Sequence, residues 1–416
     1  MSKNTTALIA ILTADWHLTH NNWKHRPEIN GDALCSLKQV VKYAQDLDLP
    51  IVVTGDIFDT PRPSTKLLCD VRDILFQECA VAYVNGNHDK VTPSWFEVVL
   101  GQRPINNGNR LGVLSNWTLS AGTPIDPEQY GLKQELPGGK KKHAWFVYGI
   151  EYVETAEKLQ ERLDALTEQT APNPMKHILT LHQGLEGLVP KMVAELTDGM
   201  IPDWVDMVLC GHVHMSKVTT IKTKGGKEIP LVSPGSLHLC AINEEPVKKL
   251  YFLGTDGSVW STPLITRRVI NANFCGSPES DVRTEAVKIA KAINKPKKER
   301  PEEIRTPIVR IVYDGTTAPK IRTIFGTALQ DAEATAHVFY TNKEGKANED
   351  LQTVADDGID SSFTSSSFDH AKATFLKMEK DAHVRKIVEE WLAKEPSQEN
   401  YDKVKEEILT KKGKKK

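Results

Sequence analysis

Residue types that bind metal ions occur in five short segments, and four of the five follow apolar runs typical of strands. The segments are Asp15-Trp16-His17, Gly55-Asp56-Ile57-Phe58-Asp59, Gly86-Asn87-His88-Asp89, His182 in Leu-His-Gln, and Gly211-His212-Val213-His214. Because ligands of parallel α/β sheets lie beyond the carboxyl ends of the strands, we expect these segments to converge on one rim of a sheet. Carboxylate, amide and imidazole ligands suit manganese, iron or zinc, and the set lacks the thiolates of a structural zinc site.

Each segment taken alone has an ordinary alternative. A single Asp-x-His is a weak signal, and Gly-Asp or Gly-Asn-His-Asp after a strand can be a turn. Gly-His-x-His places two imidazoles on one loop, where Gly211 lets the backbone bend sharply. All five segments in order are hard to explain as unrelated turns. The sequence therefore predicts a site for two divalent cations, an arrangement that cleaves phosphate esters.

The order of the elements predicts an α/β fold. Strands expected at residues 8–13, 51–54 and 80–84 alternate with helices at 32–46 and 64–78, which implies parallel strands. Further strands are expected at 145–149, 177–181 and 206–210, with a helix near 155–166. After His214, strands separated by Gly-containing turns indicate antiparallel pairing. We expect a layered α/β/β/α sandwich with mixed sheets.

The rest of the chain divides into three parts. The sandwich is expected over residues 1–270, and a small α+β second domain over 271–348. Residues 349–367 are rich in Ser, Thr, Asp and Gly and are typical of a linker. Residues 368–416 contain two short amphipathic helices and a basic tail.

Composition limits the environment and the partners. No stretch approaches about 18 uninterrupted apolar residues, so we expect no membrane span and a cytoplasmic protein. The six cysteines lack C-x-x-C spacing, which favours reduced thiols. The formal net charge is −2, so any contact with DNA must be local. The nearest candidates are Lys24, His25 and Arg26, just after the first segment.

The five segments together resemble the calcineurin-like metallophosphoesterase superfamily, over roughly residues 8 to 240. The run from Gly55 to Ser64 and the loop Ser233-Pro-Gly-Ser236 are similar to those of SbcD-type DNA double-strand-break repair nucleases. The protein phosphatases of the superfamily carry Arg after the second Asp of this motif, whereas Thr60 follows Asp59 here. This resemblance implies a layered phosphoesterase sandwich in which the small α+β domain of residues 271–348 is a cap domain that shapes the access of DNA to the metal ions. The compact length and the short cap domain fit a bacterial or bacteriophage protein.

The resemblance also implies a ligand set for two cations, with manganese expected and magnesium, iron or zinc as alternatives. Asp56 would bridge the two ions, which would lie about 3.5–4 Å apart. The first ion would be held by Asp15, His17, Asp56 and His214, and the second by Asp56, Asn87, His182 and His212.

His88 is next to Asn87 but is not assigned to a metal ion. We expect it to protonate the leaving oxygen or to steady the phosphoryl charge, with Asp59 or Asp89 setting its tautomer. The alternative is that His88 only closes the turn.

By the same resemblance, the expected function is that of a DNA exonuclease and endonuclease subunit in repair, recombination or replication. Its partner would be an SbcC-type coiled-coil ATPase, bound by the helices of residues 368–416, although these helices could instead pack on their own catalytic domain. A homodimer through helices near Leu67 to Phe76 and Trp95 to Leu100 is a further expectation.

Two other functions remain open at the level of sequence. The chain could be a phosphoesterase for nucleotides, cyclic nucleotides or phosphoproteins. It could also be a non-catalytic scaffold with the same fold, although a scaffold would be expected to have lost ligands and here all seven are present.

Overall fold

The computed structural model describes residues 6–342 except for several gaps. The gaps are residues 22, 24, 25, 27, 76–79, 91–94, 97–107, 111–116, 120–121, 170–174, 187, 190–193, 295–299 and 315–317. The predicted linker (349–367) and the predicted partner-binding segment (368–416) lie outside the described residues. Most of the helix expected near Trp95 to Leu100 lies outside them as well.

The described residues form seventeen strands and five α-helices. The helices are α1 Asp32–Leu47, α2 Thr65–Leu75, α3 Ala156–Gln169, α4 Glu279–Ile293 and α5 Ala318–Asp331. The strands are β1 Thr6–Thr13, β2 Ile51–Thr54, β3 Val81–Val84, β4 Gly108–Arg110, β5 Trp117–Leu119, β6 Thr123–Ile125, β7 Lys133–Leu136, β8 Trp145–Ile150, β9 Lys176–His182, β10 Met207–Gly211, β11 Lys217–Lys222, β12 Glu228–Ser233, β13 Lys249–Gly254, β14 Val259–Pro263, β15 Val269–Asn273, β16 Ile308–Tyr313 and β17 His337–Asn342. Short 3-10 helices occur at Pro127–Tyr130 and Glu302–Ile304.

Two mixed sheets form the larger part of the fold. One has the strand order β4-β3-β2-β1-β13-β14-β7, with β6 paired to β1, and the other has the order β11-β12-β10-β9-β8-β5. Strands β1 to β4 run parallel to one another, whereas β13 runs antiparallel to β1. The predicted α/β class with mixed sheets is confirmed.

Apolar side chains fill the space between the two sheets and the space under the helices. Strands β1, β2, β9 and β10 contribute buried residues to the layer between the sheets. Helices α1 and α2 cover the outer face of the first sheet, where Leu37, Val40 and Val71 are fully buried. The apolar spacing on α1 and α2 matches one face of a helix, so their burial follows from the sequence pattern.

A third sheet carries the remaining elements. Its three strands are parallel in the order β15-β16-β17, and α4 and α5 pack on one face around Val309, Ile311 and Phe325. The change of sheet occurs between Pro263 and Val269, so the predicted boundary at residue 270 falls inside β15. The opposite face meets the larger sheets through Ile308 and Phe339, which pack with Leu239.

A buried ion pair joins these parts of the fold. The guanidinium of Arg267, which is 2% exposed, donates to the carboxylate of Asp32 at 2.8 Å and to the carbonyls of Thr306 and Glu303.

The described residues contain no helix with the length and apolar character needed to cross a membrane.

Candidate metal centre

The structure brings all seven predicted ligands to one rim, where the parallel strands end. Asp15 and His17 follow β1, Asp56 follows β2 and Asn87 follows β3. His182 is the last residue of β9, while His212 and His214 follow β10. Their nitrogen and oxygen atoms approach one another closely enough to surround cations.

The carboxylate of Asp56 occupies the middle of the cluster. Its Oδ2 atom lies 3.6 Å from His17 Nε2 and 3.2 Å from His182 Nε2. Its Oδ1 atom accepts the backbone N–H of His88 at 2.9 Å. The position of Oδ2 between imidazoles of the two predicted ligand groups fits a shared ligand.

On the side of the first predicted ion, His17 Nε2 and His214 Nε2 face each other at 2.9 Å. His214 donates its Nδ1–H to Glu244 Oε1 at 2.7 Å, and His17 Nδ1 lies 3.5 Å from Asp59 Oδ1. A histidine held this way at one ring nitrogen offers the lone pair of the other to a metal ion. The Oδ2 atom of Asp15 is buried and has no hydrogen-bond partner among the described residues.

On the side of the second predicted ion, three donor atoms converge. His182 Nε2 and His212 Nδ1 lie 3.1 Å and 3.0 Å from Asn87 Oδ1. His182 donates its Nδ1–H to the carbonyl of Thr54 at 2.6 Å, which directs Nε2 into the cluster. Two imidazole nitrogens and an amide oxygen that converge in this way can serve as ligands of one cation, so the donor set fits a bound metal ion.

Charge within the cluster shifts several pKa values. Burial disfavours the charged form of His182, but the carboxylates of Asp56 and Asp15 outweigh it and raise the pKa of His182 to about 9. Burial and the neighbouring His182 lower the pKa of His212 to about 3. Burial raises the pKa of Asp15. Metal binding must therefore displace a proton that the carboxylates otherwise hold on His182.

Close backbone packing explains the glycines of the motifs. Gly55 has a φ of 81°, and a Cβ there would collide with the His182 ring. A Cβ on Gly86 would collide with the Asp56 carboxylate. These positions allow the loops to approach side chains that a larger residue would displace.

His88 lies beside the cluster and is half-buried. Its ring centre is 4.9 Å from that of His17, and its Nδ1–H donates to the backbone carbonyl of Asp59 at 2.8 Å. Asp59 therefore orients His88 through its carbonyl oxygen, while its carboxylate faces His17. The alternative that Asp89 sets the tautomer is wrong, because the Asp89 carboxylate accepts the backbone N–H groups of Ile57, Phe58 and Gly86.

Of the three residues predicted to contact DNA, the structure describes only Arg26. Lys24 and His25 lie outside the described residues. The guanidinium of Arg26 is already engaged: it donates to Glu28 at 2.6 Å and to the carbonyl of Val338 at 3.4 Å, and it lies 4.9 Å from the centre of the Phe339 ring. These contacts tie Arg26 to the small sheet.

Sequence reasoning missed a buried group behind His214. Glu244 accepts from His214, Ser236 and Lys248, and both carboxylate oxygens also accept backbone N–H groups of the loop before it. Ser236 belongs to the Ser-Pro-Gly-Ser loop, so the motif itself pointed to this region. Burial raises the pKa of Glu244, but Lys248 and His214 outweigh it and hold it well below its ordinary value.

Comparisons with known proteins assign residues 10–216 of this chain to a family. The family model for calcineurin-like phosphoesterases matches residues 10–216, which include all seven predicted ligands. The DNA double-strand break repair protein Mre11 of Sulfurisphaera tokodaii is 24% identical over 278 residues, covering 65% of this chain and 64% of that protein. The crystal structure of TT1561 of Thermus thermophilus is 15% identical with a TM-score of 0.37, covering 62% of this chain and 99% of that one. Residues 10–216 of this chain are therefore a calcineurin-like metallophosphoesterase domain.

Proposed function

We propose that this chain is the nuclease subunit of a DNA repair complex and hydrolyses phosphodiester bonds with two divalent cations, manganese being the expected metal. The observation that carries the proposal is the position of Asp56 Oδ2 between His17 Nε2 and His182 Nε2. Two ions bound on either side of it would polarise a phosphate and lower the pKa of an attacking water.

Side chains around the two ion positions would supply a proton donor and orient the ligating histidines. With Nδ1–H bound to the carbonyl of Asp59, the protonated His88 ring can present Nε2–H to the leaving oxygen. Its half-buried position leaves that edge accessible to a substrate. The carboxylate of Asp59 and the carboxylate of Glu244 hold the rings of His17 and His214 in place.

Two features favour DNA over a phosphoprotein or a small nucleotide. Thr60 occupies the position where the phosphatases of the superfamily carry Arg. The relative from Sulfurisphaera tokodaii is a DNA double-strand break repair protein, and the match extends beyond the phosphoesterase domain over 278 residues.

The small sheet adds a cation that suits an anionic substrate. Arg310 lies on β16, and its Nε and Nη2 atoms are buried with no hydrogen-bond partner among the described residues. Burial lowers the pKa of Arg310, and the negative charge of Glu244 opposes this shift. Because Arg310 is half-buried and two of its guanidinium nitrogens have no hydrogen-bond partner among the described residues, we assign Arg310 to a DNA phosphate.

The partner and the assembly follow from sequence and belong to the same proposal. Residues 368–416 would bind a coiled-coil ATPase of the SbcC type. In α2, Leu67, Val71 and Leu75 are buried in the core of this chain, and Leu68 and Ile74 pack against the same core while partly exposed, so a dimer through α2 would use the exposed parts of these two side chains.

The test compares linear duplex DNA with a small chromogenic phosphodiester, both in manganese and both with and without the ATPase subunit. We expect cleavage of DNA. Cleavage of the small ester alone would favour a small-substrate phosphoesterase, and cleavage of neither substrate in either condition would favour a scaffold.

His88→Ala tests the catalytic part of the proposal. We expect normal binding of two metal ions and a loss of cleavage of about 100-fold or more, because general acid catalysis contributes factors of this size. His143→Ala is the matched control, since His143 precedes β8 outside the cluster. Cleavage by His88→Ala at a near-normal rate would assign His88 to closing the turn only.

A further inference from the structure

A cysteine lies beside the first predicted ion position. Cys240 Sγ and ring nitrogens of His17 and His214 all lie within 4.8 Å of one another. Cys240 is outside the seven predicted ligands and outside residues 10–216. The ligand set predicted from sequence contains no thiolate, whereas the fold places a thiol beside two of its histidines.

One carboxylate fixes the thiol relative to the imidazole. Glu244 Oε1 accepts His214 Nδ1–H at 2.7 Å and the backbone N–H of Ala241 at 3.2 Å. Glu244 Oε2 accepts the backbone N–H of Cys240 at 3.2 Å and Lys248 Nζ at 2.6 Å. Glu244 thus holds in place both the His214 ring, which can offer a lone pair to the first ion, and the loop that carries Cys240.

A second histidine faces the same thiol. His238 is 2% exposed, and its Nε2 lies 3.8 Å from Cys240 Sγ. Its Nδ1 atom is buried with no hydrogen-bond partner among the described residues. A buried imidazole nitrogen without a partner is unusual and indicates a polar environment completed by an ion or a water molecule.

We propose that Cys240 is a further ligand of the first ion, which adds a sulfur atom to the predicted ligands Asp15, His17, Asp56 and His214. The second position, with Asp56, Asn87, His182 and His212, has only oxygen and nitrogen ligands. Thiolates favour zinc over manganese, so the two positions would differ in metal preference. The thiol proton leaves to solvent when the ion binds. This inference rests on the metal-binding part of the proposed function and not on its substrate.

Cobalt(II) is the probe, because a cobalt–thiolate bond produces a charge-transfer band in the near ultraviolet that imidazoles and carboxylates do not produce. Titration of the full-length chain should produce this band together with the visible d–d bands. Cys240→Ser should lose the charge-transfer band and keep the d–d bands. Cys275→Ser, which removes a thiol next to β15, should retain both.

Zinc X-ray absorption of the wild-type protein tests the same point without a variant. A zinc–sulfur distance of about 2.3 Å should appear beside the nitrogen and oxygen shell at about 2.0–2.1 Å. Binding of cobalt or zinc with no sulfur signal would overturn the inference and leave the proposed function intact. Failure to bind either metal would overturn both.

Discussion

Replacing Glu244 by Gln tests how the centre is assembled. Glu244 and Lys248 side chains are 4% and 2% exposed and are joined by a contact of 2.6 Å. Gln keeps the size of the side chain but replaces one acceptor oxygen by a donor. The donors of His214 and Lys248 would then compete for the remaining oxygen, and Lys248 would be left as a buried cation.

This substitution should affect two quantities separately: the free energy of unfolding and the affinity for metal ions. Removing one partner of a buried ion pair costs about 3–5 kcal/mol of the free energy of unfolding. Removing the group that orients a ligating histidine lowers metal affinity by about 10- to 100-fold. Both losses are expected in Glu244→Gln, because the same carboxylate contacts Lys248 and His214.

A double variant separates the two effects. Glu244→Gln combined with Lys248→Met removes the unpaired buried charge, so most of the stability should return in urea unfolding. Metal affinity, measured by equilibrium dialysis with manganese, should stay low because His214 still lacks its carboxylate. Glu135→Gln is the matched control, since Glu135 pairs with Lys249 at 2.8 Å but both are more than a quarter exposed. The reasoning would be refuted by wild-type metal affinity in Glu244→Gln, or by a stability loss no larger than that of the control.

Three further substitutions test other parts of the molecule. Arg310→Gln should weaken binding of duplex DNA and reduce its salt dependence without changing manganese affinity, as fluorescence anisotropy at several salt concentrations would measure; an unchanged salt dependence would exclude a phosphate contact. Asp206→Asn should lower the free energy of unfolding by about 1 kcal/mol at pH 7. Burial raises the pKa of Asp206, but hydrogen bonds from Lys176 and from the backbone of His177 outweigh it and leave the pKa below its ordinary value. This contribution is present above about pH 4 and is lost as the pH falls through the folded-state pKa, so a difference between the two proteins that widened in acid would contradict it. Asp48→Gly should raise the free energy of unfolding by about 1 kcal/mol, because Asp48 is an exposed helix cap with a φ of 50°; urea unfolding that shows a loss would count against this.

The strands that lead to the motifs could be predicted from sequence because each is a short apolar run with a polar end. Residues 51–54 form β2 as predicted, and β9 and β10 begin and end within one residue of the predicted limits. Strands β4 to β7 are three or four residues long and were not predicted. Such strands are stabilised by their neighbours in the sheet and have no periodicity of their own.

The helix α5 was missed for a different reason. Its buried residues Ile321, Ile324, Phe325 and Ala328 have the spacing of one helix face. Thr323, Gly326 and Thr327 lie between them and lower the helix propensity of the segment. Packing of this face on β16 outweighs that weak propensity.

The ligand types of the site could also be predicted, whereas the groups that orient them could not. Asp56 and His212 are marked by their motifs, but Thr54 acts through a carbonyl that every residue has. Glu244 lies thirty residues from His214 along the chain, with no spacing that connects the two. Groups of this kind become visible only when the loops are placed in three dimensions.

Backbone conformation gives an independent reason to regard these residues as functional. Among the described residues, six that are not glycine have positive φ, and four of them are predicted ligands: Asp15, His17, Asp56 and His212. The left-handed region costs about 1–2 kcal/mol for a residue with a side chain, so glycine would be more stable at each position. Hydrogen bonds from Asp15 N to Gly55 O and from His17 N to Asp56 O hold the first two loops in this conformation. The strain is retained because a glycine has no ligand atom to offer, and four strained side chains that face one cluster are better explained by metal binding than by folding.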